Sequence, residues 1–466
     1  MTAPALDTLG ALLASGHVHR SVKAEVRENL LARLAAGEPS FPGILGYDET
    51  VLPEVERALL AGHDLVLLGE RGQGKTRLIR TMTGLLDEWT PVIARCEIND
   101  HPYAPVCVRC RELVTAEGEA TPVAWKHRSE RYGEKLATPD TSVGDLIGDV
   151  DPIKVAQGRT LGDPETVHYG LVPRTNRGIF SVNELPDLAE RIQVALLNVL
   201  EERDIQVRGY TLRLPLDLLL IASANPEDYT NRGRIITPLK DRFGAEVRTH
   251  YPIDLEHELD LIRQEALLQW PGSPVVVPDH LVEIVARWTR LVRESPQVDQ
   301  RSGVSARFAV AATETLAASA VRRSAVTGEP EAVARVCDLP SVVPASRGKV
   351  EFEAAEEGRE LEVLHHLLRK ATADTFRALL AGLDLSGLQS RFDDGGVLET
   401  GDLVPAAQLL ADLGNVPGLA QLLGRLGVEQ ESPGLAAAAL EFALEGLHLN
   451  RRLAKDSVGH RTVYGR

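Results

Sequence analysis

Short apolar runs alternate with longer amphipathic stretches over the first half of the chain. Continuous apolar runs bounded by polar residues predict buried strands within residues 65–68, 177–185, 218–225 and 246–251. Apolar residues at a helical spacing predict helices within residues 22–34, 49–61 and 185–202. Alternation with a period of two around Arg208-Gly209 predicts a hairpin over residues 203–214. From residue 254 onward the pattern is mainly helical.

Prolines and glycines divide this pattern into segments. Pro39 and Pro42 end the first helical stretch, while residues 327–360 are rich in Gly, Pro and Glu and are typical of a linker. We therefore expect an N-terminal helical segment at 1–40, a core at 41–253 with an insert at 91–140, a helical segment at 254–326, the linker at 327–360 and a helical region at 361–466. The last region carries no recognisable repeat or catalytic motif.

Residues 69–76 read Gly-Glu-Arg-Gly-Gln-Gly-Lys-Thr between a predicted strand and a predicted helix. Between a strand and a helix, this sequence matches the complete P-loop motif. The alternative interpretation is a glycine-rich turn that matches the motif by chance. Glycines let successive backbone N–H groups converge on phosphate oxygens, and the helix N-terminus adds further donors. Lys75 supplies charge for the β- and γ-phosphates, and the Thr76 hydroxyl is placed to ligate Mg²⁺. We expect the nucleotide to contact Gly69, Glu70, Arg71, Gly72, Gln73, Gly74, Lys75 and Thr76.

The apolar run after Arg177 ends in Asn183 and Glu184. In P-loop enzymes this strand end, the Walker B position, usually carries Asp-Glu: Asp holds the water shell of Mg²⁺ and Glu orients the attacking water. Asn183 keeps a carbonyl acceptor for a metal-bound water but lacks the charge. Capping of the next helix is an alternative role for Asn183. We expect Asn183 to bind Mg²⁺ through water and Glu184 to be catalytic.

Two further polar residues lie at the ends of predicted elements. Asn225 follows an apolar run, where a polar side chain beside the P-loop can hold the attacking water or the γ-phosphate. Arg242 ends a short helix in Lys-Asp-Arg-Phe-Gly and is a candidate arginine finger for the nucleotide of a neighbouring subunit. A surface ion pair is the alternative for a lone arginine.

The segment 41–47, Phe-Pro-Gly-Ile-Leu-Gly-Tyr, precedes the P-loop strand and the helix before it. In many ATPases this position lines the adenine pocket, and glycines allow the backbone to approach the base. We expect Leu45 and Gly46 to contact the nucleotide, with an ordinary helix-entry loop as the alternative.

Three of the four cysteines lie in the insert. Cys107 and Cys110 form a C-x-x-C, whose thiolates can share one tetrahedral metal ion, and Cys96 or His101 can complete the ligand set. A structural Zn²⁺ is one hypothesis, and free, partly buried thiols are the other. A redox C-x-x-C is less favoured because no thioredoxin-like βαβ pattern surrounds it.

Composition limits the remaining classes of function. The 466-residue chain carries a net charge of −16, which argues against a general grip on nucleic acid or anionic lipid. No apolar run approaches the roughly 20 residues that cross a bilayer, and the first residues lack the basic stretch of a signal peptide. Four cysteines in such a chain do not make a disulfide scaffold. We expect a cytoplasmic protein without membrane or nucleic-acid partners.

In their order and spacing these motifs resemble an AAA+ ATPase, and more closely the ATPase (I) subunit of magnesium chelatase and its MoxR-like relatives. The resemblance covers about residues 40–325. It is carried by Phe41-Pro42-Gly43-Ile44-Leu45-Gly46, by the P-loop, by Asn176-Arg177-Gly178-Ile179-Phe180, by Asn225-Pro226-Glu227 and by Leu239-Lys240-Asp241-Arg242-Phe243-Gly244. It implies an α/β fold, a five-stranded parallel sheet with helices on both faces, followed by a helical lid and an α-helical C-terminal region.

The resemblance also implies roles and partners. Glu184 would be the catalytic glutamate, Asn225 sensor 1, Arg242 the finger acting in trans and Arg307 sensor 2. ATP and Mg²⁺ would bind between the subunits of a homo-oligomeric ring, a hexamer. Such rings usually drive a partner with a von Willebrand factor A domain, whose Asp-x-Ser-x-Ser motif is missing here, so that partner would be a separate chain.

Two departures from the family leave alternatives open. Asn183 stands where the family has an aspartate, and loss of that carboxylate could lower metal affinity by about 10–100-fold. The last ~140 residues do not match the chelatase subunit.

The leading hypothesis is an ATP-hydrolysing ring that remodels or activates a partner protein. The alternatives are an ATP-sensing scaffold with weak hydrolysis and a true chelatase motor subunit; an enhancer-binding activator would need a Gly-Ala-Phe-Thr-Gly-Ala loop and a helix-turn-helix, and the sequence has neither.

Overall fold

The computed structural model divides into two compact units, Met1–His250 and Tyr251–Arg466. It describes residues 2–151, 156, 166–201, 205–207, 210–212, 214–226, 234–270, 272–393, 395–414, 416–428, 432–458 and 461–465. Glu227 and the turn Arg208-Gly209, both used in the sequence predictions, lie outside the described residues.

The first unit is an α/β domain. Its strands are β1 Leu65–Leu68, β2 Trp89–Ile93, β3 Val123–His127, β4 Tyr132–Leu136, β5 Gly148–Val150, β6 Val167–Tyr169, β7 Gly178–Asn183, β8 Ile205–Val207, β9 Tyr210–Leu212, β10 Leu218–Ala224 and β11 Ala245–Arg248. Its helices are Leu9–Ala14, Val22–Ala36, Val51–Ala61, Lys75–Thr81, Val108–Glu117, Val143–Leu146, Leu171–Arg174, Glu190–Glu201 and Thr237–Arg242.

Five of these strands form one parallel sheet in the order β11-β1-β10-β7-β4. Leu65 and Leu67 of β1 face one apolar core, which includes side chains of the helices Val22–Ala36, Val51–Ala61 and Lys75–Thr81. Val66 and Leu68 face a second core, to which the helix Glu190–Glu201 contributes. Such continuously apolar strands are typical of parallel sheets covered on both faces. The predicted fold class, a P-loop AAA+ core with a five-stranded parallel sheet, is confirmed.

The segment 91–140 is only partly an insert. β2 and β3 pair as an antiparallel ribbon, with the helix Val108–Glu117 between them. β4 belongs to the main sheet, where it pairs with β7 from Tyr132↔Ile179 to Leu136↔Asn183. The fifth strand of the sheet therefore lies within the stretch that the sequence pattern assigned to irregular structure.

The N-terminal segment packs into the first unit. Val22, Val26 and Leu30 share a core with β1 and β10. Glu25 and Arg131 form a two-pronged ion pair with both N···O distances at 2.7 Å, and the two side chains are 6% and 1% exposed. This pair joins the helix Val22–Ala36 to the residue that precedes β4.

The predicted hairpin at 203–214 has its two strands where expected. β8 and β9 pair antiparallel, with Ile205 opposite Leu212 and Val207 opposite Tyr210. The connecting pair Arg208-Gly209 lies outside the described residues.

The second unit is mainly helical. Its helices are Leu255–Glu265, Asp279–Glu294, Arg307–Thr327, Val342–Ser346, Glu360–Leu379, Ser386–Asp393, Ala406–Leu413, Leu419–Arg425 and Pro433–Leu449. Its strands are β12 Gln269–Trp270, β13 Ser273–Val276, β14 Ala332–Val333, β15 Val397–Gly401, β16 Lys455–Val458 and β17 Arg461–Gly465, in two small sheets ordered β12-β13-β14 and β15-β17-β16.

Residues 327–360, which composition marks as a linker, contribute to the core of the second unit. Leu339, Val342 and Val343 are buried in one apolar cluster that extends from Leu259 to Tyr464. Arg335, fully buried, pairs with buried Glu441 of the helix Pro433–Leu449 at 3.2 Å. The segments predicted as lid, linker and C-terminal region thus share one hydrophobic core.

Among the described residues, no helix combines the length and the apolarity that crossing a bilayer requires.

Candidate nucleotide site

The P-loop follows β1 and leads directly into the helix Lys75–Thr81. Gly72 and Gly74 have φ values of 72° and 76°, a left-handed conformation that glycine adopts without a steric penalty. A side chain on Gly69 would collide with Thr249 and Gln73. The glycines of the motif are therefore required by this backbone path.

Lys75 points back over the loop. Its ammonium group donates to the carbonyl oxygens of Gly69 and Glu70, the latter at 2.8 Å, and to Asn225 Oδ1 at 2.9 Å. The side chain is buried. An ammonium group held over the loop in this way can exchange these acceptors for phosphate oxygens.

Asn225 joins Lys75 to Glu184. Its Oδ1 accepts from Lys75, and its Nδ2 donates to Glu184 Oε2 at 2.5 Å. The three residues follow β1, β10 and β7, whose carboxyl ends meet at one edge of the parallel sheet. The side chains predicted as phosphate lysine, sensor and catalytic glutamate are therefore in direct contact.

Glu184 has an uncommon backbone conformation. Its φ of 57° and ψ of 47° lie in the left-handed region, which for a residue with a side chain costs on the order of 1–3 kcal/mol. Such strain is concentrated at functional sites, where it aims a side chain. Here it directs Glu184 toward Asn225.

Both polar atoms of the Asn183 side-chain amide form hydrogen bonds. Its Nδ2 donates to Glu134 Oε1 at 2.6 Å, and its Oδ1 accepts from the hydroxyls of Ser223 and Ser181 at 3.3 and 3.5 Å. Asn183 lies next to Leu136 in the sheet register, so Glu134 reaches it from two residues earlier on β4.

Glu134 is a residue of the site that the sequence analysis did not identify. It accepts from Arg80 at 2.8 and 2.9 Å and from the Tyr132 hydroxyl at 2.9 Å. The Arg80 guanidinium holds the pKa of Glu134 below its usual value. Only recognition of Tyr132–Leu136 as a sheet strand beside β7 would have brought this carboxylate to Asn183.

Tyr47 connects the segment 41–47 to the P-loop. Its hydroxyl donates to the carbonyl oxygens of Gln73 at 2.5 Å and His250 at 2.8 Å, and burial raises its pKa to about 12. Leu45 and Gly46 precede it and are half-buried, with Gly46 at a φ of 74°. The loop predicted to line the adenine pocket is thereby attached to the phosphate loop.

A cleft of about 370 Å³ opens beside the P-loop. Its lining includes Gly69, Gln73 and Pro226, with Lys240 and Arg248 among the charged groups. The cleft lies at the carboxyl ends of β1 and β11, the edge of an open α/β sheet at which ligands bind.

The two arginines predicted as finger and sensor lie at the ends of helices. Arg242 ends the helix Thr237–Arg242, is half exposed and pairs with Glu201. Arg307 begins the helix Arg307–Thr327 of the second unit and is exposed. Arg242 thus has, within its own chain, the surface ion pair that the sequence analysis kept as its alternative role.

The cysteine cluster differs from the predicted ligand set. Cys96, Cys107 and Cys110 come together with Asp100, and His101 is not among them. The His101 ring contacts His17 and His19, with ring centroids 5.6 and 4.1 Å away, and burial lowers its pKa to about 2. The side chains of Asp100 and His101 point in different directions. Asp100, and not His101, therefore lies with the three cysteines.

Known proteins give an independent comparison. A family model described as the sigma-54 interaction domain matches residues 159–242, a segment that contains Asn183, Glu184, Asn225 and Arg242. The magnesium-chelatase 38 kDa subunit of Acidiphilium rubrum is 30% identical over 237 residues, which are 48% of this chain and 62% of that protein. The chloroplastic subunit ChlI of Chlamydomonas reinhardtii is 28% identical over 279 residues, 57% of this chain and 61% of that protein.

The chain has the P-loop AAA+ fold and is similar, over about half of its length, to subunits of magnesium chelatase. The resemblance predicted from the sequence is confirmed at this level. The chain spans about three fifths of the length of these two relatives.

Two solved structures are similar in fold. NtrX from Brucella abortus in complex with ATP is 13% identical with a TM-score of 0.42, covering 82% of this chain and 74% of that one. A complex between subunits BchI and BchD of magnesium chelatase gives 21% identity and a TM-score of 0.36, covering 69% and 98%. Neither likeness bears on what this chain does.

Proposed function

We propose that this AAA+ chain binds Mg-ATP at the P-loop and hydrolyses it between the subunits of a ring, thereby remodelling or activating a partner protein. The observation that carries the proposal is the contact of Lys75, Asn225 and Glu184. A cation for the phosphates, an amide and a carboxylate that can orient water are the groups that phosphoryl transfer to water requires. In this structure each of them reaches the next through one hydrogen bond.

In the proposed reaction the backbone N–H groups of residues 69–76 bind the phosphates and Lys75 holds the β- and γ-oxygens. Glu184 orients the attacking water, and Asn225 keeps that carboxylate beside the γ-phosphate. Because Asn225 contacts both Lys75 and Glu184, a phosphate that draws Lys75 away frees the Asn225 carbonyl to receive a water. Leu45 and Gly46 would line the adenine side.

Mg²⁺ would neutralise charge that develops on the phosphate oxygens. The donors fit this ion, because the Thr76 hydroxyl and the Glu134 carboxylate are both hard oxygen ligands. Arg80, which pairs with Glu134, lies four residues after Thr76 and hence on the same helix face. Glu134 therefore supplies, next to Asn183, the negative charge that Asn183 lacks, either to the ion or to its water shell.

The ring and its partner are the parts of the proposal that rest on relatives. As in the MoxR-like proteins that the sequence resembles, the partner would be a separate chain with a von Willebrand factor A domain. In a hexamer, Arg242 would reach the nucleotide of the adjacent subunit, and Arg307 would act as sensor 2. A reducing cytoplasm agrees with four free cysteines.

A nucleotide-held switch is the second candidate. It is favoured by Asn183, whose amide is already occupied by Glu134, Ser181 and Ser223. Slow hydrolysis would then leave ATP bound as a signal. Motor and switch share the nucleotide site and differ in turnover.

Isothermal titration with ATP and Mg²⁺ tests the shared site. Lys75→Ala should abolish measurable ATP binding because the ammonium group that contacts Asn225 is lost. Lys349→Ala, at an exposed lysine of the second unit, is the matched control and should bind as the wild type does. Equal affinity of Lys75→Ala and wild type would refute the nucleotide site.

A further inference from the structure

A second cluster of reactive side chains lies in the ribbon between β2 and β3. The sulfur atoms of Cys96, Cys107 and Cys110 and a carboxylate oxygen of Asp100 all lie within 4.8 Å of one another. Cys107, Cys110 and Asp100 are buried, and Cys96 is half-buried. All three cysteines are free.

The two carboxylate oxygens of Asp100 have different surroundings. Its Oδ2 accepts from the backbone N–H groups of Val106 and Cys107 at 3.1 and 2.9 Å. Its Oδ1 is buried and has no hydrogen-bond partner among the described residues, although the residue is only 1% exposed. A buried carboxylate oxygen without a partner carries a large desolvation cost, which a cation would relieve.

The backbone around the cluster is arranged for anionic sulfur. The N–H of Asp100 points at Cys96 Sγ and the N–H of Cys110 at Cys107 Sγ, both at 3.3 Å. Cys107 also caps the ten-residue helix Val108–Glu117, so the positive end of the helix dipole lies beside it. These N–H groups can donate in the same way to sulfur atoms that are bound to a metal ion.

We propose that Cys96, Cys107, Cys110 and Asp100 bind one structural Zn²⁺. Sulfur ligands about 2.3 Å from a tetrahedral zinc lie about 3.8 Å apart, which the observed cluster accommodates with small movements. Four protein ligands close the coordination sphere, so the ion has a structural and not a catalytic role. Binding displaces the three thiol protons to solvent, and the metal accepts four electron pairs without any redox change.

The zinc would fix the loop between Cys96 and Asp100 against the start of β7. Asn176 donates to Ile98 O at 2.9 Å, and Asn99 donates to Arg174 O at 2.6 Å. These two bonds connect the cluster to the strand that ends in Asn183 and Glu184. The metal would therefore stabilise the insert beside the amino end of β7, opposite to the end that carries Asn183 and Glu184, and without touching the nucleotide.

Metal analysis of the full-length chain, purified under reducing conditions without chelator, tests the proposal. We expect one zinc per wild-type chain, the same content in Cys337→Ser, and less than a tenth of it in Cys107→Ser. His101→Asn should keep its zinc because that ring faces His17 and His19, whereas Asp100→Asn should bind at least ten times more weakly. Loss of zinc in His101→Asn with retention in Asp100→Asn would overturn the ligand set.

Cobalt substitution keeps the test valid if Cys107→Ser does not fold. After chelation and addition of Co²⁺, the wild type should show the visible bands of a tetrahedral ion and sulfur-to-cobalt charge transfer, both absent when Zn²⁺ is added first. A folded wild-type chain that takes up neither Zn²⁺ nor Co²⁺, or whose three thiols react equally fast with and without Zn²⁺, overturns the site. A disulfide between Cys107 and Cys110 in protein purified without oxidant would do the same.

Discussion

At the residue scale, Asn183 and Glu134 would share, in the proposed site, the role that one aspartate has in most P-loop enzymes. Asn183 lies at the end of β7, and its Nδ2 donates at 2.6 Å to the Glu134 carboxylate on the neighbouring β4. Because the two residues are in direct contact, their effects on stability and on Mg²⁺ binding should be coupled. Single and double substitutions at these two positions measure that coupling.

Asn183→Asp alone would place a second carboxylate against Glu134 and remove the donor between them. Without Mg²⁺ we expect a loss of about 1–3 kcal/mol in the free energy of unfolding, and a steeper Mg²⁺ dependence of ATP affinity. Adding Glu134→Gln should recover most of that loss because one carboxylate again faces one amide. Denaturant unfolding and calorimetric titration at several Mg²⁺ concentrations provide both readouts.

Glu130→Gln is the control for these substitutions, since Glu130 is exposed and precedes β4. It should change neither stability nor Mg²⁺ dependence. Strict additivity of Asn183→Asp and Glu134→Gln would mean that the two residues do not act together.

The residues that the sequence identified correctly as neighbours in space are those fixed by contiguous motifs and by strand ends. The P-loop dictates its own conformation, and Asn225 and Glu184 follow strands whose ends meet at one sheet edge. Glu134 could not be found in this way because its place depends on the pairing of β4 with β7. Likewise, spacing alone does not show that Asp100 faces the cysteines while His101 faces away.

At the element scale, buried strands were easier to predict than the edge strand. β1, β7 and β10 are buried along their whole length and are mainly apolar, with Ser181 and Ser223 as interruptions. β4 reads Tyr-Gly-Glu-Lys-Leu, pairs with β7 alone among the described strands and is half exposed. An edge strand buries less apolar surface, so a search for apolar runs passes over it.

The helix Val22–Ala36 provides a test of how firmly the N-terminal segment is held. Glu25→Ala removes one partner of a buried ion pair and leaves Arg131 uncompensated, so we expect a loss of about 3–5 kcal/mol in the free energy of unfolding. Glu28→Ala on the same helix breaks an exposed pair with Arg20 and should cost less than about 1 kcal/mol. Chemical denaturation of the two variants compares them directly, and equal losses would contradict a buried anchor.

At the scale of the whole molecule, composition misled the prediction for residues 327–360. Glycine, proline and glutamate are compatible with a linker, yet here the segment forms short helices that bury residues such as Leu339 and Val342. The burial of Arg335 against Glu441 depends on residues more than one hundred positions apart. Local composition contains no information about such contacts.

The proposed ring can be tested by mixing two variants that are each inactive alone. Arg242→Ala should lower turnover by about a thousandfold or more while ATP still binds, and Lys75→Ala should be inactive for lack of nucleotide. Mixing the two should restore turnover, because some interfaces then combine an intact P-loop with an intact Arg242. A Lys75→Ala/Arg242→Ala double variant mixed with Arg242→Ala is the control and should stay inactive; recovery there, or none in the first mixture, would argue against a finger acting in trans.

The most direct test of the proposed function is the steady-state rate of ATP hydrolysis as a function of protein concentration, for the wild type and for Glu184→Gln. An assembling ATPase predicts that the wild-type rate per subunit rises with concentration to a plateau, while Glu184→Gln binds ATP and remains inactive. Glu353→Gln, at an exposed glutamate of the second unit, should follow the wild type. A wild type as inactive as Glu184→Gln, or a rate per subunit independent of concentration, would contradict hydrolysis between subunits of a ring.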